Sequence, residues 1–142
     1  MDKKIPFKSV LDQTGDVVII TEIEPLDEPF GPKILYVNQS FTTLTGYRQE
    51  DVLGKTPRIL QGDKTDKNTL KKIRDALQKK EPVHAELLNY AKDQTEYWLD
   101  FTIVPIKESY CQIWCMALGG LPIRFFHYLY SIFKFGVVNY QR

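Results

Sequence analysis

Arg58 and Gln61 stand three residues apart in the stretch Gly54-Lys55-Thr56-Pro57-Arg58-Ile59-Leu60-Gln61-Gly62, and their chemistry is that of a ligand cradle. A guanidinium is a rigid fork of donors suited to a phosphate or a carboxylate. A carboxamide offers a donor and an acceptor together. Gly54 and Gly62 allow sharp bends at the two ends. Pro57, between them, has no backbone donor and no reactive group.

Catalytic patterns are absent from the rest of the chain. There is no glycine-rich phosphate loop with its lysine, no paired Cys/His zinc spacing and no nucleophile elbow, and the carboxylates are scattered. The two cysteines, Cys111 and Cys115, can build neither a disulfide framework nor a four-thiolate metal site, and read as reduced structural thiols. No catalytic residue, no metal site and no enzyme are expected. At 142 residues the chain is one domain's worth. Its 19 Lys+Arg against 18 Asp+Glu leave a net charge of +1 with no long like-charge block, which argues against a nucleic-acid partner. Met1-Asp2-Lys3-Lys4-Ile5-Pro6 is not followed by an apolar run of signal-peptide length, so a cytoplasmic chain is expected.

Periodicity and punctuation predict the elements that must hold the cradle. Residues 7–13 suit one or two helical turns. The β-branched run Val17-Val18-Ile19-Ile20-Thr21 predicts a buried strand. Pro25, Pro29, Gly31 and Pro32 then break the chain into a loop, and Lys33-Ile34-Leu35-Tyr36-Val37 returns as a hairpin partner. Asn38 is placed to cap a short helix with Phe41 and Leu44 on one face and Gly46 at its end. Residues 50–53 suggest another short helix. After the cradle, Thr65 or Asp66 caps a longer helix with an apolar stripe of Leu70, Ile73 and Leu77. Lys67, Lys71, Lys72, Asp75, Lys79 and Lys80 form its solvated face. Pro82 ends that helix, and Val83, Ala85, Leu87 and Asn89 share one side of the strand that follows. Residues 92–95 turn into a return strand with Leu99, Phe101 and Ile103 on one face and Trp98, Asp100 and Thr102 on the other. This order predicts an α+β fold, an antiparallel sheet with short helices over one face and a pocket between the layers.

Four segments carry a resemblance. They are Tyr36-Val37-Asn38-Gln39-Ser40-Phe41 leading to Leu44-Thr45-Gly46-Tyr47; the 54–62 stretch; Lys72-Ile73-Arg74-Asp75-Ala76; and Leu87-Leu88-Asn89-Tyr90 with Lys92-Asp93 and Tyr97-Trp98. In this order and spacing, residues from about 10 to 107 resemble a PAS domain, and within that superfamily the flavin-binding light-oxygen-voltage (LOV) group. The resemblance implies a domain that senses a small ligand, redox state or light, or that dimerises. Such a domain signals to an effector such as a histidine kinase or a diguanylate cyclase, as in two-component systems. It also implies a cofactor, FMN, with Arg58 and Arg74 on its phosphate and Gln61 and Asn89 on its ribityl chain or ring.

This chain departs from the LOV pattern at three places. Pro57 stands where the family has its photoactive cysteine, Thr56 where it has the preceding asparagine, and Leu99 where an asparagine follows the Tyr97-Trp98 pair. Haem-binding PAS domains take a histidine from the long helix; residues 66–80 contain none, and His84 and His127 read as ordinary half-buried residues. Two readings follow. One is a non-catalytic sensory or protein-interaction module with no tightly held chromophore or with some other ligand. The other is an FMN-binding, LOV-like redox or light sensor that forms no cysteinyl adduct. Plain structural roles are also open: Arg58 paired with an acidic neighbour, Gln61 capping a loop, Arg74 as one charge on a charged helix, Asn89 satisfying a strand end.

Beyond residue 107 the chain can supply one more strand, over 111–118. The family's switch glutamine has no counterpart there, because an ungapped count reaches Leu118 and Gln112 comes too early. Residues 121–142 are very apolar but interrupted by Arg124 and Lys134. They suggest an interfacial or dimer-packing helix, with membrane attachment or a disrupted reading frame as the other readings. The expected division is an N-terminal extension (1–15), a PAS domain (16–118) and an apolar tail (119–142), with homodimerisation open.

Overall fold

The computed structural model describes residues 7–13, 15–27 and 31–106, and the backbone of a last strand, Cys111–Ala117. Residues 1–6, 14, 28–30, 107–110 and 118–142 lie outside the described residues, and with them the readings of Leu118 and of the apolar tail.

Two hairpins form locally. β1 (Val17–Glu22) pairs antiparallel with β2 (Ile34–Val37), and β3 (Val83–Tyr90) with β4 (Glu96–Ile106). β5 (Cys111–Ala117) enters between them, from Val17↔Met116 to Glu22↔Cys111 on one side and from Asp100↔Ala117 to Ile106↔Cys111 on the other. The sheet order is therefore β2-β1-β5-β4-β3, all antiparallel. The last described strand joins the two hairpins into one sheet.

Helices fill the connection between the hairpins. After α1 (Phe7–Gln13) come α2 (Gln39–Thr45), α3 (Gln49–Val52), a 3-10 turn at Pro57–Leu60 and α4 (Lys67–Gln78). α2 packs on β1, α3 on β2 and α4 on β3, which gives the expected α+β layering. Between the layers lie Val17, Ile19, Phe41, Leu87, Leu99 and Ile103, all nearly inaccessible. Each such side chain contributes about 1.5–3 kcal/mol by leaving water. On β4 the alternation is as expected: Leu99, Phe101 and Ile103 are buried, while Trp98 faces outward and is 68% exposed.

Asn38 does more than cap. Its Oδ1 accepts from Phe41 N (3.2 Å), the helix cap, and also from Val18 N (3.0 Å). Its Nδ2 donates to Leu11 O (2.9 Å) and Asp16 O (2.7 Å). One buried amide thus fastens α1, β1 and α2 together. Gly46 ends α2 in the left-handed region (φ +77°), where a side chain would be strained. Of the two candidate caps for α4, Asp66 takes the role, accepting from Thr69 N at 2.9 Å. Thr65 is buried instead, and its hydroxyl donates to Leu88 O (2.8 Å) while accepting from Gly62 N (3.0 Å).

Candidate ligand-binding site

The cradle is hung on β2 by backbone bonds. Ile34 N donates to Lys55 O (2.7 Å), and Gly54 N to Ile34 O (3.0 Å). Gly54 makes the bend with φ +80°. Pro57 is buried at the first position of the 3-10 turn, where its fixed φ suits the turn and its missing N–H has no partner to lose. Gly62 is glycine for a different reason from the bend expected of it. A Cβ there would lie 2.4 Å from Tyr90 Cε2, so the cradle's far end and the end of β3 approach too closely for any side chain.

Between the 3-10 turn, α4, the loop after β1 and β3 lies a cavity of about 500 Å³, within the range of small-ligand and cofactor sites. Its apolar wall includes Leu26, Pro57, Leu70, Ile73, Leu77 and Leu87. Every charged lining residue is basic: Arg58, Lys67, Lys71 and Arg74. Gln61 completes the polar set. Arg58, Gln61 and Arg74 are thus brought together on one cavity. Lys67 and Lys71, expected on a solvated face, are exposed but stand on the cavity rim. Their spacing to Arg74, four and then three residues, was the sequence signal that they share a helical stripe with it.

Both arginines hold the loop that enters the cavity mouth. Arg58 donates from Nη1 to Gly31 O (3.0 Å) and from Nη2 to Leu26 O (2.6 Å), so backbone carbonyls, not an acidic neighbour, receive it. Arg74 pairs with the Asp27 carboxylate. That pair is largely exposed, and ion pairs of this kind contribute little net stability. A dianionic group arriving at the mouth competes with the exposed Asp27 carboxylate for Arg74.

Asn89 is placed elsewhere. It is not on the cavity lining but one inward-facing step along β3 from Leu87, and it is 5% exposed. Its Oδ1 has no hydrogen-bond partner. The residue opposite it in the β3–β4 ladder is Tyr97, whose hydroxyl is likewise buried without a partner. Burial pushes the Tyr97 phenol up to about 12, opposed by a hydrogen bond from the Asn89 side chain, with Tyr47 adding to the rise; the contact is too long or too bent to count as a close bond. Tyr97 escaped the sequence reading, where it served only as part of a motif. Leu99 is buried directly opposite Leu87 and belongs to the apolar core.

Among the described residues no group of three or more His, Cys, Asp or Glu could hold a metal ion, and no helix is long and apolar enough to cross a membrane.

This geometry agrees with the comparisons. The sequence profile described as PAS domain matches residues 17–116, and the chain belongs to the PAS domain family. A blue-light photoreceptor of Listeria monocytogenes is 39% identical over 101 residues, which is 71% of this chain and 38% of that protein. A blue-light-activated histidine kinase of Brucella anthropi is 33% identical over 104 residues, 73% of this chain and 20% of that one. The chain thus spans well under half the length of either relative. Among solved structures, the LOV domain of the Erythrobacter litoralis EL346 blue-light-activated histidine kinase superposes with a TM-score of 0.67 at 25% identity, covering 77% of this chain and all of that one.

Proposed function

We propose that this chain is a LOV-type sensory module that binds flavin mononucleotide and reports light or redox state to a signalling effector without a cysteine–flavin bond. The observation that carries the reading is the cavity itself: an apolar chamber of about 500 Å³ whose charged lining residues are all cations. It suits a ligand with a flat apolar body and an anionic tail. An orphaned, nearly inaccessible amide oxygen on Asn89 fits the polar edge of such a body. The similarity to proteins described as a blue-light photoreceptor and a blue-light-activated kinase supports the flavin reading over that of an empty module.

When bound, flavin supplies blue-light absorption and redox chemistry. Arg58 and Arg74, with Lys67 and Lys71 on the same rim, hold the phosphate by charge-assisted hydrogen bonds. Gln61 meets the ribityl chain or ring, and Asn89 accepts from the ring's edge. Pro57 offers no thiol, and the chain's cysteines, Cys111 and Cys115, are in β5. The module is non-catalytic, its PAS core is 16–118, and it works in the cytoplasm, as a homodimer or joined to an effector such as a histidine kinase or a diguanylate cyclase.

A second reading, a PAS interaction module without chromophore, is favoured by one specific observation. Both arginines already have partners within the chain. The absorption spectrum of the purified chain after incubation with FMN and gel filtration separates the two. A retained, vibrationally structured blue band supports flavin binding; a colourless protein supports the second reading.

A further inference from the structure

Two buried polar atoms on neighbouring strands, the Tyr97 hydroxyl and the Asn89 Oδ1, have no close hydrogen-bond partner; the Asn89 side chain acts on the phenol oxygen as a donor and lowers its pKa, which leaves the phenol O–H and the amide oxygen open. Their residues are directly opposite in the β3–β4 ladder, so both side chains leave the same face of the sheet. That face is the inner one. Leu87 and Leu99, the register pair two residues along, are both buried, and Leu87 is part of the cavity wall. Native proteins pair the great majority of buried polar groups. Two orphans side by side, one step beyond the wall of a cavity, mark where a ligand's polar edge belongs.

The chemistry of the two atoms defines that edge. A carboxamide oxygen only accepts, so Asn89 Oδ1 calls for an N–H. The phenol keeps its proton throughout the neutral range, because burial pushes its pKa up to about 12. Its O–H therefore calls for a carbonyl. The Asn89 side chain is close enough to act on the phenol as a hydrogen-bond donor, so the two open positions serve neighbouring atoms of one ligand edge. An imide or cyclic-amide edge, N–H beside C=O, meets both demands, and the isoalloxazine ring carries such an edge. We propose that Tyr97 is a ligand-contacting, specificity-determining residue whose hydroxyl donates to a ring carbonyl beside the N–H that Asn89 accepts. With Leu99 apolar, the second polar contact to the edge comes from residue 97. This assignment rests on the flavin reading of the cavity and deepens it.

The test is Tyr97→Phe, measured twice in the full chain. Without ligand the variant loses an unsatisfied buried hydroxyl, so its Tm rises by about 2–6 °C. With riboflavin as the probe, it binds about threefold to tenfold more weakly than the unaltered chain. Opposite signs in the two measurements are the signature; a merely structural tyrosine lowers Tm and affinity together. N3-methylriboflavin, which lacks the edge N–H, binds the unaltered chain about tenfold more weakly than riboflavin does. Equal affinity of Tyr97→Phe and the unaltered chain, or equal affinity for the two flavins, overturns the edge assignment and leaves flavin binding standing. A chain that binds no flavin at all refutes the flavin reading and this assignment with it.

Discussion

Replacing Asn38 by alanine tests whether one buried amide fastens three elements. Asn38→Ala removes the helix cap at Phe41 N, a loss of about 1 kcal/mol. It also takes the side-chain acceptor from Val18 N in the interior, at about 1–3 kcal/mol. The two bonds from Nδ2 to Leu11 O and Asp16 O go with it, at about 1 kcal/mol for the pair if the chain relaxes around them. The sum is about 3–5 kcal/mol, a large share of the roughly 5–15 kcal/mol that holds an ordinary domain together. Urea unfolding followed by far-UV circular dichroism reads it directly. With m near 2 kcal/mol per molar, the midpoint falls by about 1.5–2.5 M. Asn38→Ser, which keeps a cap acceptor but neither donor, should fall between the two. A loss under about 1 kcal/mol in Asn38→Ala would refute the reasoning, because it would mean that water or a rearranged backbone replaces all four bonds.

Further outcomes follow from the same geometry. Gly62→Ala forces the Tyr90 ring away from a Cβ 2.4 Å from Cε2 and strains the Tyr90 hydroxyl's contact with Lys64 N, so it should cost about 1–3 kcal/mol in a thermal melt. Arg58→Ala should weaken FMN binding about tenfold to a hundredfold in a fluorescence titration while leaving riboflavin, which lacks the phosphate, nearly unchanged; equal losses would remove Arg58 from the phosphate. Hydrogen bonds from the Thr69 side chain and backbone hold the Asp66 carboxyl below its ordinary value of 3.8. A lowered folded-state pKa contributes stability that is complete above 3.8 and is lost as pH falls through the lowered value. Asp66→Asn keeps an acceptor but does not titrate. Its urea midpoint should therefore fall less steeply below pH 3.8 than that of the unaltered chain, and parallel curves would contradict the assignment.

The legible part of the fold was the part written locally. The β-branched run of β1, the Asn38 cap, the Gly46 stop and the Leu70-Ile73-Leu77 stripe each depend on neighbours within a turn or two, and each stands where the pattern put it. The insertion of β5 between β1 and β4 is a tertiary choice that no periodicity of residues 111–117 encodes. At the site, the residues at 58, 61 and 74, which line one cavity, were readable as a polar group. Their present partners were not: Arg58 reaches carbonyls 32 and 27 residues away, and Arg74 a carboxylate 47 residues away. Gly62 shows the limit in miniature, since its small size answers to the Tyr90 ring rather than to a bend. The Asn89–Tyr97 pair became visible only once the β3–β4 register was known, because an orphaned atom is defined by what surrounds it.

The proposed function is flavin binding in a chamber whose wall carries Pro57, a residue without a thiol. Blue-light illumination of the FMN-loaded chain beside its Pro57→Cys variant, with absorption followed through a dark interval, tests it most directly. The account predicts that only Pro57→Cys gains a blue-band bleach that recovers in the dark and is abolished by thiol alkylation. A thiol-dependent, dark-reversible bleach in the unaltered chain, or failure of both proteins to retain FMN, would contradict it.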